Sequence, residues 1–290
     1  MWRESRLAAR LAVALAFVAT VACAEDELDR SGGPYVPTPQ IVVDQMLRFA
    51  NVGADDYVMD LGSGDGVIVL TAAERYRARG MGVDIDPQLV TLANREAARR
   101  GIADRARFEV MDVFKADLSR ATVVTLYLLP EMMISLRPKI YLELKPGTRV
   151  VSHDYHFDDW RPDDWISFDV PEKETINGEP VATVYLWIIP ARIAGRWIVE
   201  VEGAGKYEVT WRQNYQLIDG KAQSRTGALQ VSEASLRGEQ LEFALVQRGK
   251  HLVFSGRVSG NAMQGTVRVG HGKTVRWTAV RASALTSSVQ

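Results

Sequence analysis

One seven-residue stretch, Asp60-Leu61-Gly62-Ser63-Gly64-Asp65-Gly66, constrains this chain more than any other. The apolar run Tyr57-Val58-Met59 precedes it and a helix-like run begins at Val67. Glycine lets a backbone turn sharply and approach a ligand closely. The helix that follows aims its unpaired N–H groups at whatever occupies the turn. The spacing predicts a strand–turn–helix unit that holds a nucleotide-type cofactor. A dinucleotide loop reads G-x-G-x-x-G, but here Val67 takes the last position and the third glycine comes early, at Gly66. The Gly-Lys-Ser/Thr ending of a P-loop is absent.

Strands and helices alternate around this unit. Thr38 is placed to cap a first helix, with Pro39 at its first position and Ile41, Val42, Met46, Leu47 and Phe49 at helical spacing. Tyr57–Leu61 is strand one, with a helix running on through Arg79. Met81–Val83 is strand two, and a helix over Pro87–Arg100 ends at Gly101. Arg107–Val110 is strand three, and the continuous apolar run Ala121–Leu129 reads as a strand buried on both faces. A helix over Glu131–Leu144 leads to strand five, Arg149–Ser152. Ile166–Val170 and Val181–Ile189 follow as strands joined by the polar turn Thr175-Ile176-Asn177-Gly178, with no helix expected between them. Five β–α units and a terminal hairpin predict an α/β fold, a doubly wound, Rossmann-like seven-stranded sheet, over residues 37–190.

After Pro190 the period changes to two: Tyr207, Val209 and Trp211 alternate with Glu208, Thr210 and Arg212. Turn signals recur at Asp219-Gly220, Gly249-Lys250, Gly260-Asn261 and Gly270-His271-Gly272. Residues 191–290 are therefore expected to form an antiparallel meander of seven or eight strands, a small barrel or sandwich. Leu241/Phe243/Leu245 and Val275/Trp277/Ala279 read as its core.

The N-terminus reads as a targeting segment. Arg3, Arg6 and Arg10 precede an apolar stretch from Leu11 to Ala22, and Ala22-Cys23-Ala24 offers a small-x-small cleavage site. The apolar stretch is too short to span a bilayer stably. Residues 1–24 are expected to be a signal peptide and 25–36 a linker, so the protein is expected to be exported, with an organelle presequence as the alternative. Cys23, the only cysteine, is a candidate lipid anchor. A net charge of −1 argues against nucleic acid as the main partner. That charge is uneven: 28 acidic against 18 basic side chains lie in 25–190, and 7 against 14 beyond 190. Two surfaces attracting each other, or an acidic region meeting a basic substrate, would both produce that pattern.

Asp84 follows strand two and Asp112 follows strand three. With these acids and the glycine loop, residues 34–190 resemble the class I, seven-strand S-adenosylmethionine-dependent methyltransferases. The resemblance implies S-adenosylmethionine as cofactor. It places Asp60 near the methionine end, with Gly62, Ser63 and Gly64 forming the close approach. Asp84 would bind both ribose hydroxyls, Asp112 the adenine amino group, and Val113 would lie beside the ring. Tyr35-Val36-Pro37-Thr38-Pro39, the glycine loop, Pro130-Glu131-Met132-Met133 and Leu144-Lys145-Pro146-Gly147 are similar to segments of protein-lysine methyltransferases. Those enzymes modify the c subunit of ATP synthase and the adenine nucleotide carrier. That likeness adds Tyr35 and Thr38 to the cofactor side and implies a lysine acceptor. The C-terminal β region and the export-like leader depart from these relatives, and the departure bears on the substrate rather than on the cofactor.

A lysine acceptor must lose its proton first, and desolvation in an apolar mouth lowers its pKa. Tyr127 and the Tyr35-Val36-Pro37 segment are candidates for that mouth. Glu131 is a candidate proton acceptor, although a charged residue just after a strand is more often a helix-start acid favoured by the dipole. His153 and Asp154 are candidates to line the opening; no metal site is expected, because a spacing of three in extended backbone separates His153 from His156. Asp86 before Pro87 reads as a helix cap. A small-molecule acceptor remains open, as does a noncatalytic protein of this fold that uses its β region to bind a partner in the cell envelope.

Overall fold

The structure, a computed structural model, describes residues 35–247, 250–269 and 272–282. The leader, Cys23 and the linker up to residue 34 lie outside the described residues.

Helix α1, Gln40–Phe49, buries Val42, Val43, Met46 and Leu47 on one face. Its N-cap is Pro39, whose carbonyl accepts from the N–H groups of Val42 and Val43, and no side chain caps it. This corrects the expectation that Thr38 caps the helix: the extended ψ of 141° at Pro39 delays the first turn by one residue. Strand β1, Tyr57–Leu61, leads through the glycine loop to α2, Val67–Arg75. This helix ends earlier than Arg79, because Tyr76 is its C-cap and Arg77 takes a left-handed φ of 60°. There follow β2 (Arg79–Asp84), α3 (Pro87–Arg99), β3 (Ala106–Val110), a 3-10 turn over Val113–Lys115, β4 (Val123–Leu126), α4 (Pro130–Glu143) and β5 (Arg149–His153).

These strands and two more form one sheet in the order β3-β2-β1-β4-β5-β7-β6, with β6 at Asp164–Asp169 and β7 at Val181–Ile188. The first five are mutually parallel, and β7 runs antiparallel to both β5 and β6. Alternate side chains enter opposite faces. Val58, Val123 and Val151 pack with α1, whereas Met59, Leu61, Val124 and Leu126 pack with Met133, Leu136 and Ile140 of α4. Each such fully buried side chain contributes roughly 1.5–3 kcal/mol.

The segment between β6 and β7 departs from expectation. It is a helix, α5, over Pro171–Asn177, rather than a turn. Pro171 occupies the first helical turn and Gly178, at φ 81°, closes the helix. Those residues carried the signal, but the helix is too short for a periodic pattern; burial of Val170 and Lys173 fastens it to the sheet.

Beyond Pro190 the chain forms eight strands among the described residues: β8 (Gly195–Val201), β9 (Gly205–Asn214), β10 (Leu217–Ser224), β11 (Gly227–Arg237), β12 (Gln240–Gln247), β13 (Lys250–Ser259), β14 (Ala262–Val269) and β15 (Lys273–Arg281). Each pairs antiparallel with its sequence neighbour, and β15 pairs with β8 to close a barrel. Closure removes exposed sheet edges. Trp197, Trp211, Phe243, Phe254 and Trp277 fill the interior, with Phe243 and Phe254 stacked at 4.4 Å. The interior is thus a packed core.

The turn joining β9 to β10 inserts into the aromatic core of the sheet. Tyr215, at φ 52°, stacks on Trp160 at 4.6 Å and 8° and meets Tyr141 edge-on at 5.1 Å. Trp160 Nε1 donates to Gln216 Oε1 at 2.9 Å. The barrel therefore grips the loop that follows β5.

Candidate active site

Two parallel neighbours begin the site. Register places Asp60 of β1 beside Thr125 of β4, and the Thr125 hydroxyl donates to Asp60 Oδ1 at 2.6 Å. Asp60 is only 2% exposed. Burial is the main force that pushes its carboxyl up to about 7, against the Thr125 hydrogen bond, and the Asp84 and Asp65 carboxylates add to it. Three acids thus share one end of the sheet.

The glycine loop is tied to the end of β2. The N–H groups of Gly62 and Ser63 both donate to the Val83 carbonyl, at 2.9 and 3.0 Å. Gly64 N–H donates to Asp84 Oδ2 at 2.8 Å, and Asp84 Oδ1 accepts from Asp86 N–H at 2.9 Å. Gly62 and Gly64 take φ values of 79° and 52°, the left-handed region that favours glycine. A Cβ at Gly62 would lie 2.7 Å from Leu128 Cδ2, and one at Gly64 would lie 2.4 Å from Tyr35 Cε2. Tyr35 therefore lies over the loop, and burial followed by the charge of Asp65 pushes its hydroxyl pKa up. The Ser63 side chain turns toward Gly82, where a Cβ would meet its Oγ at 2.5 Å, and that hydroxyl is buried without a partner among the described residues. Ser63 thus presents backbone, not its hydroxyl, to the mouth of the loop.

Asp86 caps α3 through Gln88 and Leu89 N–H. Asp112 caps the 3-10 turn, accepting from Phe114 N–H at 2.9 Å. The Val113 side chain is buried in the sheet core, while its neighbour Phe114 is exposed. Tyr35, Ile85, Val110, Phe114 and Leu129 expose apolar surface around the carboxyl ends of β1–β4. An apolar rim of this kind marks a ligand surface. Sequence reasoning missed Ile85 and Phe114; their signal is position, each standing one or two residues beyond an acid at a strand end. Thr38 is half-buried and does not cap the helix that follows it.

On the other side of Asp60, Tyr127 follows β4. Its ring lies 4.1 Å from that of His153 and 6.2 Å from the nearly parallel ring of Tyr155. Burial, then the Asp154 charge and Tyr155, push the Tyr127 hydroxyl up to about 12. His153 is 1% exposed, and burial pushes its pKa down to about 4. Neither ring nitrogen has a hydrogen-bond partner among the described residues, although Asp154 Oδ2 lies 3.4 Å from Nε2. Asp154 takes a left-handed φ of 60° and accepts from Thr183 N–H at 3.0 Å and from Lys173 Nζ. Glu131 stands exposed in the first turn of α4 and makes no hydrogen bond or ion pair among the described residues; the structure does not bring it against Tyr127. Among the described residues no three His, Cys, Asp or Glu side chains are grouped to hold a metal ion.

A family profile described as the ANTKMT methyltransferase domain matches residues 60–164, from the buried acid to the start of β6. A protein-lysine N-methyltransferase of Saccharolobus islandicus is 41% identical over 157 residues, which are 54% of this chain and 93% of that protein. The chain belongs to this methyltransferase family. A Mus musculus lysine N-methyltransferase, named for the c subunit of ATP synthase, is 30% identical over 210 residues, 72% of this chain and 74% of the relative. A solved RNA methyltransferase from Salinibacter ruber, in complex with S-adenosylhomocysteine, is 48% identical and has a TM-score of 0.49. The match covers 55% of this chain and 96% of that one.

This methyltransferase depends on S-adenosylmethionine, and its residues fit that cofactor. The glycine cradle at Gly62–Gly64 leaves no room for a Cβ. Asp60, Asp65 and Asp84 supply negative charge where a sulfonium and an ammonium bring positive charge. Each Asp84 oxygen holds one N–H and retains a lone pair for a hydroxyl. The rim of Ile85 and Phe114 offers apolar cover for a purine.

Proposed function

We propose that this methyltransferase alkylates the ε-amino group of lysine in a protein substrate. The observation that carries this reading is the likeness to the Saccharolobus islandicus protein-lysine enzyme, which is matched over 93% of its length. The aromatic mouth of Tyr127, Tyr155 and His153 supports it, because burial there disfavours an ammonium ion and favours the neutral amine.

Bound S-adenosylmethionine supplies a methyl group made electrophilic by the sulfonium. Asp84 holds the ribose hydroxyls, Asp112 the adenine amino group, and the Gly62–Gly64 backbone the close approach. Asp60 balances the charge at the methionine end, and Tyr35 closes over the loop. Tyr127 orients the incoming amine and excludes water; alignment alone contributes several kcal/mol, up to about 7–11 in the best intramolecular cases. The proton that the lysine sheds leaves to solvent, and Glu131, exposed in the first turn of α4, takes it up through water rather than by direct contact with the mouth. The leader sequence supports export of the protein, with Cys23 as a lipid attachment point.

The test is incubation of the purified protein with labelled S-adenosylmethionine and a proteome depleted of endogenous methylation, followed by mass spectrometry. Methyl-lysine that disappears in Tyr127→Ala is expected. Label found only on small molecules would overturn the protein-lysine reading while leaving the cofactor assignment intact.

A further inference from the structure

At the end of the sheet opposite the cofactor loop, four arginines from three separate segments face one cavity of about 650 Å³. Arg77 lies between α2 and β2, Arg79 opens β2, Arg105 precedes β3, and Arg120 precedes β4. Asp55, Asp56, Tyr57 and Thr122 also line it.

The charges there are not balanced within the described residues. The Asp56 carboxylate is already engaged by Arg149, by the Thr122 hydroxyl and by Gly53 N–H. Arg105 has only its sequence neighbour Asp104, at 3.7 Å. Among the described residues Arg77, Arg79 and Arg120 meet no carboxylate within 4 Å, although other arginines nearby do: Arg75 pairs with Asp44 at 2.8 Å and Arg100 with Glu74 at 3.0 Å. Asp55 is the one remaining lining acid, so positive charge is in excess.

One of the four has a fixed side-chain partner: Arg120 lies over the Tyr57 ring at 4.6 Å, a cation–π contact against the cavity wall. Arg77 stands at the left-handed φ of 60° that ends α2, and the backbone N–H of Arg79 is bonded to the Asp56 carbonyl at 3.0 Å. Guanidinium groups that line one cavity repel one another, and an anion among them relieves that repulsion. Their planar, forked donors match the oxygens of a phosphate, whereas a single lysine offers a point charge.

We propose that this groove binds a phosphate group, carried by a soluble phosphorylated molecule or by a lipid headgroup, at a site separate from the methyl-transfer centre. Inorganic pyrophosphate is the probe for the soluble source, titrated calorimetrically into the full chain. Flotation with vesicles of phosphatidylcholine, with and without phosphatidylglycerol, probes the headgroup. Pyrophosphate binding that weakens by roughly tenfold or more in Arg77→Ser/Arg120→Ser, as expected when charge-assisted hydrogen bonds are lost, supports a soluble ligand. Flotation that needs phosphatidylglycerol and the same two arginines supports a headgroup. Unchanged S-adenosylmethionine affinity in the double variant shows that it is folded; should it fall, Arg77→Lys/Arg120→Lys, which keeps the charge but loses the fork, replaces it. Absence of binding to either probe, or binding that the substitutions leave unaltered, overturns the proposal.

Discussion

Lys173 and Asp154 form a buried ion pair, with Nζ of Lys173 at 2.5 Å from Oδ2 of Asp154 and the lysine 2% exposed. The pair spans α5 and the loop after β5, where Asp154 takes a left-handed φ of 60° next to His153, the ring neighbour of Tyr127. Removing Asp154 leaves the Lys173 ammonium buried without its carboxylate, and Asp154→Ala is expected to lower unfolding free energy by about 3–5 kcal/mol in urea titrations. Lys173→Ala should cost less, because the Asp154 carboxylate is partly exposed and keeps the Thr183 N–H. Lys173→Met combined with Asp154→Asn should cost less than the two single changes together. Full additivity would mean that the two side chains do not interact.

His153 gives the fold a pH dependence. Its folded-state pKa, about 4, lies below the ordinary value of 6.5 because burial disfavours the imidazolium. Its contribution to stability is complete above pH 6.5, where both states are neutral, and is lost as pH falls toward 4 because the unfolded chain takes up the proton first. The depression corresponds to roughly 3 kcal/mol. His153→Gln should flatten the fall in Tm between pH 6.5 and 4; a slope equal to that of the wild type would locate the acid lability elsewhere.

Asp60 behaves in the opposite sense. Its folded value of about 7 stands above the ordinary 3.8, so its stabilising contribution is complete below pH 3.8 and is lost as pH rises to 7. A cationic donor beside it favours the carboxylate and expels the proton. Affinity for S-adenosylmethionine is therefore expected to rise with pH up to about 7 and level off above it. In Asp60→Asn the affinity should be lower and independent of pH across that range. A pH-dependent affinity that persists in Asp60→Asn would assign the proton to another group.

Tyr215 couples the barrel to the active-site loop. Its ring lies on Trp160 while its backbone occupies a φ of 52°. Tyr215→Ala removes the stacking and keeps the backbone strain, and should cost about 2 kcal/mol, near the sum of an aromatic pair and part of a buried ring. Trp160 fluorescence should change with it. A neutral substitution would show that the turn does not hold the loop.

Most of the sheet was legible because its signals are local. The glycine loop, the acids at strand ends and the apolar period each follow from a few adjacent residues. The barrel was legible from period-two alternation, though not its closure, since that depends on β15 meeting β8 some eighty residues away. Helix α5 was missed because seven residues show no period, and the cap of α1 was misplaced because Pro39 competes with Thr38. At the site, the acids were visible in sequence, but two features were not. The outward turn of Phe114 beside a buried Val113 depends on the 3-10 turn. The meeting of Lys173 with Asp154 depends on how α5 folds back on the sheet, which no local pattern encodes.

Whether Asp84 and the glycine loop hold S-adenosylmethionine is decided by isothermal titration of the purified protein with S-adenosylmethionine and S-adenosylhomocysteine. One site per chain is expected for each. Binding at least about a hundredfold weaker is expected in Asp84→Ala, the loss of two charge-assisted hydrogen bonds, with Asp84→Asn intermediate and thermal unfolding preserved. No heat of binding to the wild-type protein at millimolar ligand, or equal affinity in Asp84→Ala, would contradict that role for Asp84 and the loop.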